Sequence, residues 1–481
     1  MKFTNKLLIA IVSIVAVVGI TLPVEVYAVQ KSVEVSSLDE LLPYLKQSNV
    51  DVKMAPGVYR ITAADMKAGK YPAESEVEVG RVKKPILLFE GSHNTFDFTG
   101  VTLEIEAEVF TNLDPKYREF INIQTIGNNN VIKNIKLVDI ADKQDFPNRG
   151  YLNVILDGAF NRIEGVEIYS VGSSPYGYGE LFGKGGPKLA PIYKHCACLV
   201  RGFKNHVLNC KIVHHGYGHC LFMQAADCPT IEGCHIESEM INTDDLLAEK
   251  GGLAEKVDYM TYFGYKIPAG YTIACSEEGI RAYNGGDTMI DGIRYKRGTS
   301  NPTVMDCYIK NVRAGVTLTH ATGRKYVENC TAIGCERGFC IGSGQIVNCK
   351  ADTQNGPALG VDYAHDNGMV ADITILPNRK DPRPGNGSKH AAIIIGHNHK
   401  ITLRRGEGLE DTPDQELLIN IGGDNRTIGM LHGDNNYNAN NIEIINETGY
   451  PIVLDDNTSN ITGTSVGAVI DYGTDNSVVK R

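Results

Sequence analysis

Four histidines, His195, His214, His215 and His219, fall within a stretch of 25 residues, and Tyr217 stands among the last three. Imidazole changes charge near neutral pH, so such a cluster is a natural source of a general base or acid. Cations are spaced around it. Lys194 precedes His195, while Arg281, Arg313 and His320 follow further along, with Tyr283 two residues after Arg281. Guanidinium and ammonium groups bind carboxylates through charge-assisted hydrogen bonds. Tyrosine offers an apolar face and a hydroxyl to a sugar ring, and this chain has 23 tyrosines and no tryptophan. The set suits β-elimination at a uronic acid. There a cation neutralises the carboxylate and makes the C5 proton more acidic, a base removes that proton, and an acid assists departure of the group at C4. The expected base is His215 or His219, with His214 beside them, and the expected acid is Tyr217. Lys194, Arg281 and Arg313 would hold the carboxylate, with His195, His320 and Tyr283 completing the substrate-binding set. A sugar leaves in a lyase; water leaves in a dehydratase acting on a chain end.

The elements that must position these residues repeat. The segments Val131–Leu137, Arg162–Ile168, His206–Ile212, Thr230–Ile236, Thr303–Ile309, Tyr326–Ala332 and Gln345–Ala351 share one pattern, with Met369–Ile375 as a looser copy. Positions two, five and seven are mostly apolar, and position four is Asn, Asp or Gly. Cys210 and Cys234 are 24 residues apart, Cys307 and Cys330 are 23 apart, and Cys330 and Cys349 are 19 apart. Such a period marks a solenoid, whose short strands bury a core only when stacked. A second strand precedes most copies, as in Ala197–Arg201, Cys220–Gln224 and Val316–His320. About ten coils are expected over residues 95–475. Cysteine replaces Ile or Val at position five, so the expected state is a ladder of buried, reduced thiols packing as small hydrophobes. Ser37 and Glu40 form a capping box for a helix over Leu38–Lys46 that would close the open end of the stack.

This layout resembles the right-handed parallel β-helix superfamily of pectate-lyase-like and chondroitinase-like enzymes, over nearly all of the chain after its leader. The resemblance implies an all-β fold and a carbohydrate-active enzyme akin to the β-helix polysaccharide lyases. Insertions at one corner, Ala141–Gly150, Gly172–Lys194, Ser238–Glu277 and Leu376–His390, would wall a cleft floored by Val213–His219. In the expected register His219, Arg281 and Thr317 point outward, and Gly150, Lys194, Tyr217, Glu277 and Arg313 form one column. The excursion Gly286–Asn301 carries Arg294, Lys296 and Arg297, either as a solvated basic loop or as a further wall.

A rival signal is Asn242-Thr243-Asp244-Asp245, which looks like the Asp-bearing motif of polygalacturonase-type hydrolases. Gly218-His219-Cys220 precedes that pair instead of following it as the family's Gly-His-Gly does. The alternatives are therefore a glycoside hydrolase using Asp244 and Asp245, or a glycan-binding β-helix without turnover. Glu239, Asp244 and Asp245, with Glu237, also offer hard oxygen ligands for a Ca²⁺ ion.

Composition narrows the partners. The 481 residues are 42% hydrophobic and 22% charged, with 51 glycines and a net charge of −10. No basic block suits nucleic acid, so an acidic polysaccharide or oligosaccharide is the expected partner. Lys2 and Lys6 precede an apolar run from Leu7 to Leu22, and Val26-Tyr27-Ala28 supplies small residues for cleavage. This reads as a signal peptide over residues 1–28, followed by one domain over 29–481 that is exported, to the periplasm or beyond. No later segment is apolar enough to span a bilayer.

Overall fold

The computed structural model describes residues 31–481 except 112–113, 141–149, 173–192, 262–264, 380–388, 411–415 and 424–435. The expected leader lies outside the described residues, as do nearly all of two of the expected walls, 141–150 and 172–194, and most of a third, 376–390. Among the described residues no helix is long and apolar enough to cross a membrane.

The chain winds into a parallel β-helix. Among the described residues thirteen strands, from Lys83–Phe89 to Val469–Asp471, form one large sheet, and twenty-one strands form the other. The thirteen-strand sheet starts upstream of the expected coils because Lys83–Phe89 and Glu119–Thr125 belong to it without the cysteine signature. Between the sheets lies one continuous core, in which Ile123, Val154, Cys198, Leu221, Ile280, Val316, Phe339 and Leu359 stack along the axis.

Position four of the repeat has a structural cause. Asn134, Asn209, Asp306, Asn329 and Asn348 have φ between 50° and 64°, and Gly165 and Gly233 share that conformation. Gly and Asn, and less readily Asp, tolerate this left-handed backbone, which turns the chain between two short strands. In the looser copy the turn is missing, and Val370–Ile375 runs on as one strand. All twelve cysteines are free thiols. Cys210, Cys234, Cys307, Cys330 and Cys349 are buried one above another in the core.

A second ladder stands one residue before the repeat. Asn94, Asn130, Asn161 and Asn205 are all buried. Each side-chain oxygen from Asn130 onward accepts the backbone N–H of the asparagine one coil below, at 3.2, 2.9 and 2.7 Å. The amide groups reach back to corner carbonyls, so buried polar atoms are matched where the chain turns.

At the N-terminal end Leu38–Leu41 is α-helical and Leu42–Lys46 continues as a 3₁₀ turn. The Ser37 hydroxyl accepts the Glu40 N–H at 3.2 Å, and the Glu40 carboxylate accepts from Ser36 N at 2.8 Å. Leu38, Leu41 and Leu45 join the core. The Leu45 carbonyl receives Glu90 N at 2.8 Å, so this segment covers the open end of the stack.

Candidate functional site

The site is built on the face of the thirteen-strand sheet that points away from the core. Arg281 pairs with Thr317 on one side and Phe222 on the other, and Phe222 pairs with Leu199. Matching the strands by their ends, at Arg201, Gln224, Asn284 and His320, would set Arg281 beside Leu221 and Cys198. That alignment slips by one residue there, because Leu221 and Cys198 belong with Ile280 in the core. A slip of one exchanges the two faces of a strand. Leu152, Ile155, Cys196, Leu199 and Phe222 thus form a separate apolar floor outside the core, against which Tyr283 packs.

The column of Lys194, Glu277 and Arg313 is close-knit. Glu277 N donates to Gly218 O at 2.8 Å and Arg313 N to Glu277 O at 3.1 Å. The approach requires Gly218, since a Cβ there would lie 2.1 Å from the His195 carbonyl oxygen, with φ at +146°. The tight crossing delivers His219 to the outer face.

His219 is the centre of a buried network. Its Nε2 lies 2.7 Å from the Tyr283 hydroxyl and 3.1 Å from Glu277 Oε2, and its Nδ1 lies 2.9 Å from Glu278 Oε2. Lys194 Nζ donates to both oxygens of Glu277, at 2.7 and 2.5 Å. Arg281 is paired with Glu278, and its guanidinium lies 4.9 Å from the Tyr283 ring centre. Burial opposes ionisation of Glu278, but Arg281 and Arg313, followed by His219, outweigh it and hold the carboxyl well below its usual range. Burial lowers the His219 pKa, with Glu277 opposing. Burial also raises the Tyr283 phenol. The resting state is therefore a neutral tyrosine, a neutral imidazole and an ionised Glu278. Nδ1 faces Glu278 and Nε2 faces Tyr283 and Glu277, so a proton carried on Nδ1 leaves the Nε2 lone pair directed at the phenol.

His219, Glu277 and Glu278 also bring ligand atoms within 4.8 Å of one another. Lys194, Arg281 and Arg313 already compensate both carboxylates, so a cation would have to displace them. The donor set is a poor fit to a divalent ion.

Two depressions flank Tyr283. One is lined by Lys194, His219, Phe222, Gln224, Arg201 and Tyr283. The other is lined by Arg281, Arg313, Thr317, His320, Arg337 and Tyr363. The excursion after Gly286 is a hairpin of Asp287–Ile290 and Ile293–Lys296. Arg297 fastens it by donating to Gly202 O at 2.7 Å and Ala225 O at 3.2 Å, so that arginine is structural.

The structure thus brings together Lys194, His219, Arg281, Tyr283, Arg313 and His320. Others of the expected set lie elsewhere. Tyr217 is buried with Leu246, Ala254, Tyr259, Ile267 and Ile273 in a small core beneath the Ser238–Glu277 insertion; its ring lies 5.5 Å from Lys194 Nζ, so it adjoins the site while lining neither depression. His195 is 1% exposed and packs edge-on to Tyr151 at 5.5 Å. His215 leaves the opposite sheet beside Glu239, with Nδ1 and Oε2 3.3 Å apart. His214 alternates with it along the same strand and is completely buried.

Burial, with His195, His215 and His219 nearby, lowers the His214 pKa to about 3. The unfolded chain protonates this residue near pH 6.5, so folded stability should fall by up to ~1.4 kcal/mol per pH unit as pH drops from there toward 3. Urea midpoints taken between about pH 7 and pH 4 should show a shallower decline in His214→Gln than in the native protein.

The Ca²⁺ candidates do not assemble. Asp244 accepts from Gly270 N at 2.9 Å, Asp245 from the Asn242 amide at 3.2 Å, and Glu239 faces His215. Glu237 is taken by Lys310 at 2.6 Å. The helix here is Thr243–Leu247, with Asn242 at its N-cap position. Residues the sequence reading left out of the site are Glu278, Arg337, Asp362 and Tyr363. Glu278 carried a readable signal: an acid at a strand start, three residues before an outward arginine.

No protein-family model matches the chain, and no curated protein matches it. Solved structures do. A mannuronic acid specific polysaccharide family 6 lyase from human gut microbiota is 11% identical, with 94% of this chain and 87% of that one covered at a TM-score of 0.41. An alginate lyase in complex with G6 is 10% identical, with 94% and 89% covered at 0.37. The catalytic domain of a GH87 alpha-1,3-glucanase in complex with nigerose is 9% identical, with 94% and 68% covered at 0.33. These likenesses carry no argument about the reaction, which rests on the side chains above.

Proposed function

We propose that the protein is an exported carbohydrate-active enzyme that performs β-elimination on a uronate-containing polysaccharide or oligosaccharide. The observation that carries this reading is the Tyr283–His219–Glu278 chain, with Arg281 against the Tyr283 ring and Lys194, held by Glu277, lining the same depression. Tyr283 and His219 both line the groove, and Tyr283 is the more exposed of the two. The phenol oxygen takes the C5 proton as its own proton passes to His219 Nε2. The resulting imidazolium is stabilised by Glu278 at Nδ1 and Glu277 at Nε2. Lys194 and Arg281 hold the substrate carboxylate and stabilise the charge that develops on it. The same phenol, reprotonated, serves the departing oxygen at C4.

A hydrolase reading is less well supported. Inverting or retaining hydrolysis needs one protonated carboxyl and one available carboxylate facing each other across the substrate. Glu277, Glu278 and Asp362 are each engaged by a cation, and Asp244 and Asp245 line neither depression. Asp244→Asn/Asp245→Asn should therefore retain turnover within about threefold of the native protein, where the hydrolase reading requires its loss.

Neutral His219 is the active form, so activity falls as pH drops and the imidazole is protonated. Burial lowers its pKa, and the acid limb of kcat/KM should lie below the ordinary histidine value of 6.5. Glu277→Gln removes the carboxylate that opposes this shift, so the limb should move to still lower pH. Turnover in heavy-oxygen water separates the reactions at the product: elimination incorporates no solvent oxygen, and hydrolysis incorporates one atom per cleavage. Label in the product would overturn the proposal.

A further inference from the structure

The depression beyond Arg281 contains groups that the proton-transfer chain does not use. Arg337 is 5% exposed, and its Nη1 is paired with Asp362. Its Nε and Nη2 have no hydrogen-bond partner. The Thr317 hydroxyl is likewise buried and without a partner. Both side chains line the same depression as Arg313. Buried donors that the protein leaves unmatched are costly unless a ligand satisfies them.

The charges there do not balance. Arg281, Arg313 and Arg337 face Glu278 and Asp362, so three guanidinium groups meet two carboxylates. Cys340 adds none, since burial and then Asp362 push its thiol up to about 12. The groups lining this depression thus carry more cationic than anionic charge, which suits an anionic ligand. A guanidinium edge beside a hydroxyl fits the oxygens of a carboxylate or a sulfate ester. At the mouth Tyr363 stacks on His365 at 5.1 Å, and its hydroxyl lies 3.3 Å from His320 Nε2. That ring is a platform for a sugar. Arg337 begins the strand two coils beyond Arg281, about 10 Å along the stack at ~4.8 Å per coil.

We infer that Arg337, Arg313 and Thr317 form a second anion subsite, which takes one carboxylate or sulfate ester from a sugar neighbouring the one that reacts. The inference rests on the elimination reading for its sugar, but the anion site itself can be tested alone. Crystals of the full mature chain are soaked in selenate, a sulfate mimic with an anomalous signal. The expected result is a peak within hydrogen-bond distance of Arg337 Nε or Nη2 and Thr317 Oγ1. The peak should be lost in Arg337→Gln/Asp362→Asn, which removes the buried charges as a pair, and weakened in Thr317→Val. Acetate that displaces selenate at equal concentration assigns the subsite to carboxylate; acetate that does not assigns it to sulfate. No peak in the native protein, or an undiminished peak in the double variant, overturns the subsite. Assay of the same preparations for elimination separates the two ideas. A peak without elimination leaves the subsite and removes the enzyme reading, and elimination without a peak does the reverse.

Discussion

Tyr283→Phe should lower kcat by about 10²–10⁴ while leaving the fold and the substrate KM nearly unchanged. The substitution removes one oxygen, the atom 2.7 Å from His219 Nε2. The ring keeps its packing on Phe222, at 6.2 Å between centres, and its place under Arg281. Stability should therefore change by no more than ~1 kcal/mol, the worth of an ordinary hydrogen bond. The proton path would be cut because the phenol oxygen is the atom that links His219 Nε2 to the substrate. Tyr283→Phe/His219→Gln should accordingly lose little more than either single variant, since groups that act as a unit are not additive. The measurement is steady-state kinetics beside a denaturation curve. Near-native turnover in Tyr283→Phe would move proton transfer to another residue.

The largest effect on stability should come from Asn161→Ala. The Asn161 amide nitrogen donates to the carbonyls of Gly127 and Asp157, each at 2.7 Å, and its oxygen accepts the Asn130 N–H at 2.9 Å. All of this is buried, so truncation strands the Asn130 N–H and the Gly127 carbonyl inside a tight corner, while the Asp157 carbonyl keeps the Thr125 hydroxyl at 3.0 Å. The expected loss is roughly 3–5 kcal/mol. Asn348 provides the contrast. It occupies the left-handed turn at φ +50° on the surface, and its amide bonds only the side chain of Asn329, at 2.8 Å. Asn348→Ala should cost ~1 kcal/mol, mainly from backbone strain. Urea midpoints for the two variants check the difference, and equal losses would contradict the ladder's role.

Much of this fold was legible because the repeat is a direct imprint of coil geometry. The left-handed turn selects Asn, Asp or Gly at position four, and the core selects Ile, Val or Cys at position five. The asparagine ladder was equally present, at Asn130, Asn161 and Asn205, each immediately before its repeat. It went unread because a polar residue beside an apolar run looks like a turn until its buried partners are seen. The site was harder. Lys194, His219, Arg281 and Arg313 come together because strand stacking converts sequence periodicity into proximity. The slip at Ile280 shows the weakness of that conversion, since strand ends matched by spacing set Arg281 against Leu221, where the ladder pairs Leu221 with Ile280. Tyr217 was misplaced for a different reason. The Ser238–Glu277 insertion forms its own small core, and a repeat pattern carries no information about which coil residue an insertion will cover.

The most direct test exposes the protein, as residues 29–481, to a panel of uronate polysaccharides and their oligosaccharides. The readout is the ultraviolet absorbance of the conjugated C4=C5 double bond, with products weighed by mass spectrometry. The account predicts rising absorbance with at least one substrate and none with Tyr283→Phe. Shorter chains would mark a lyase, and loss of one water at constant length a dehydratase. New reducing ends without absorbance would contradict elimination and make the protein a hydrolase.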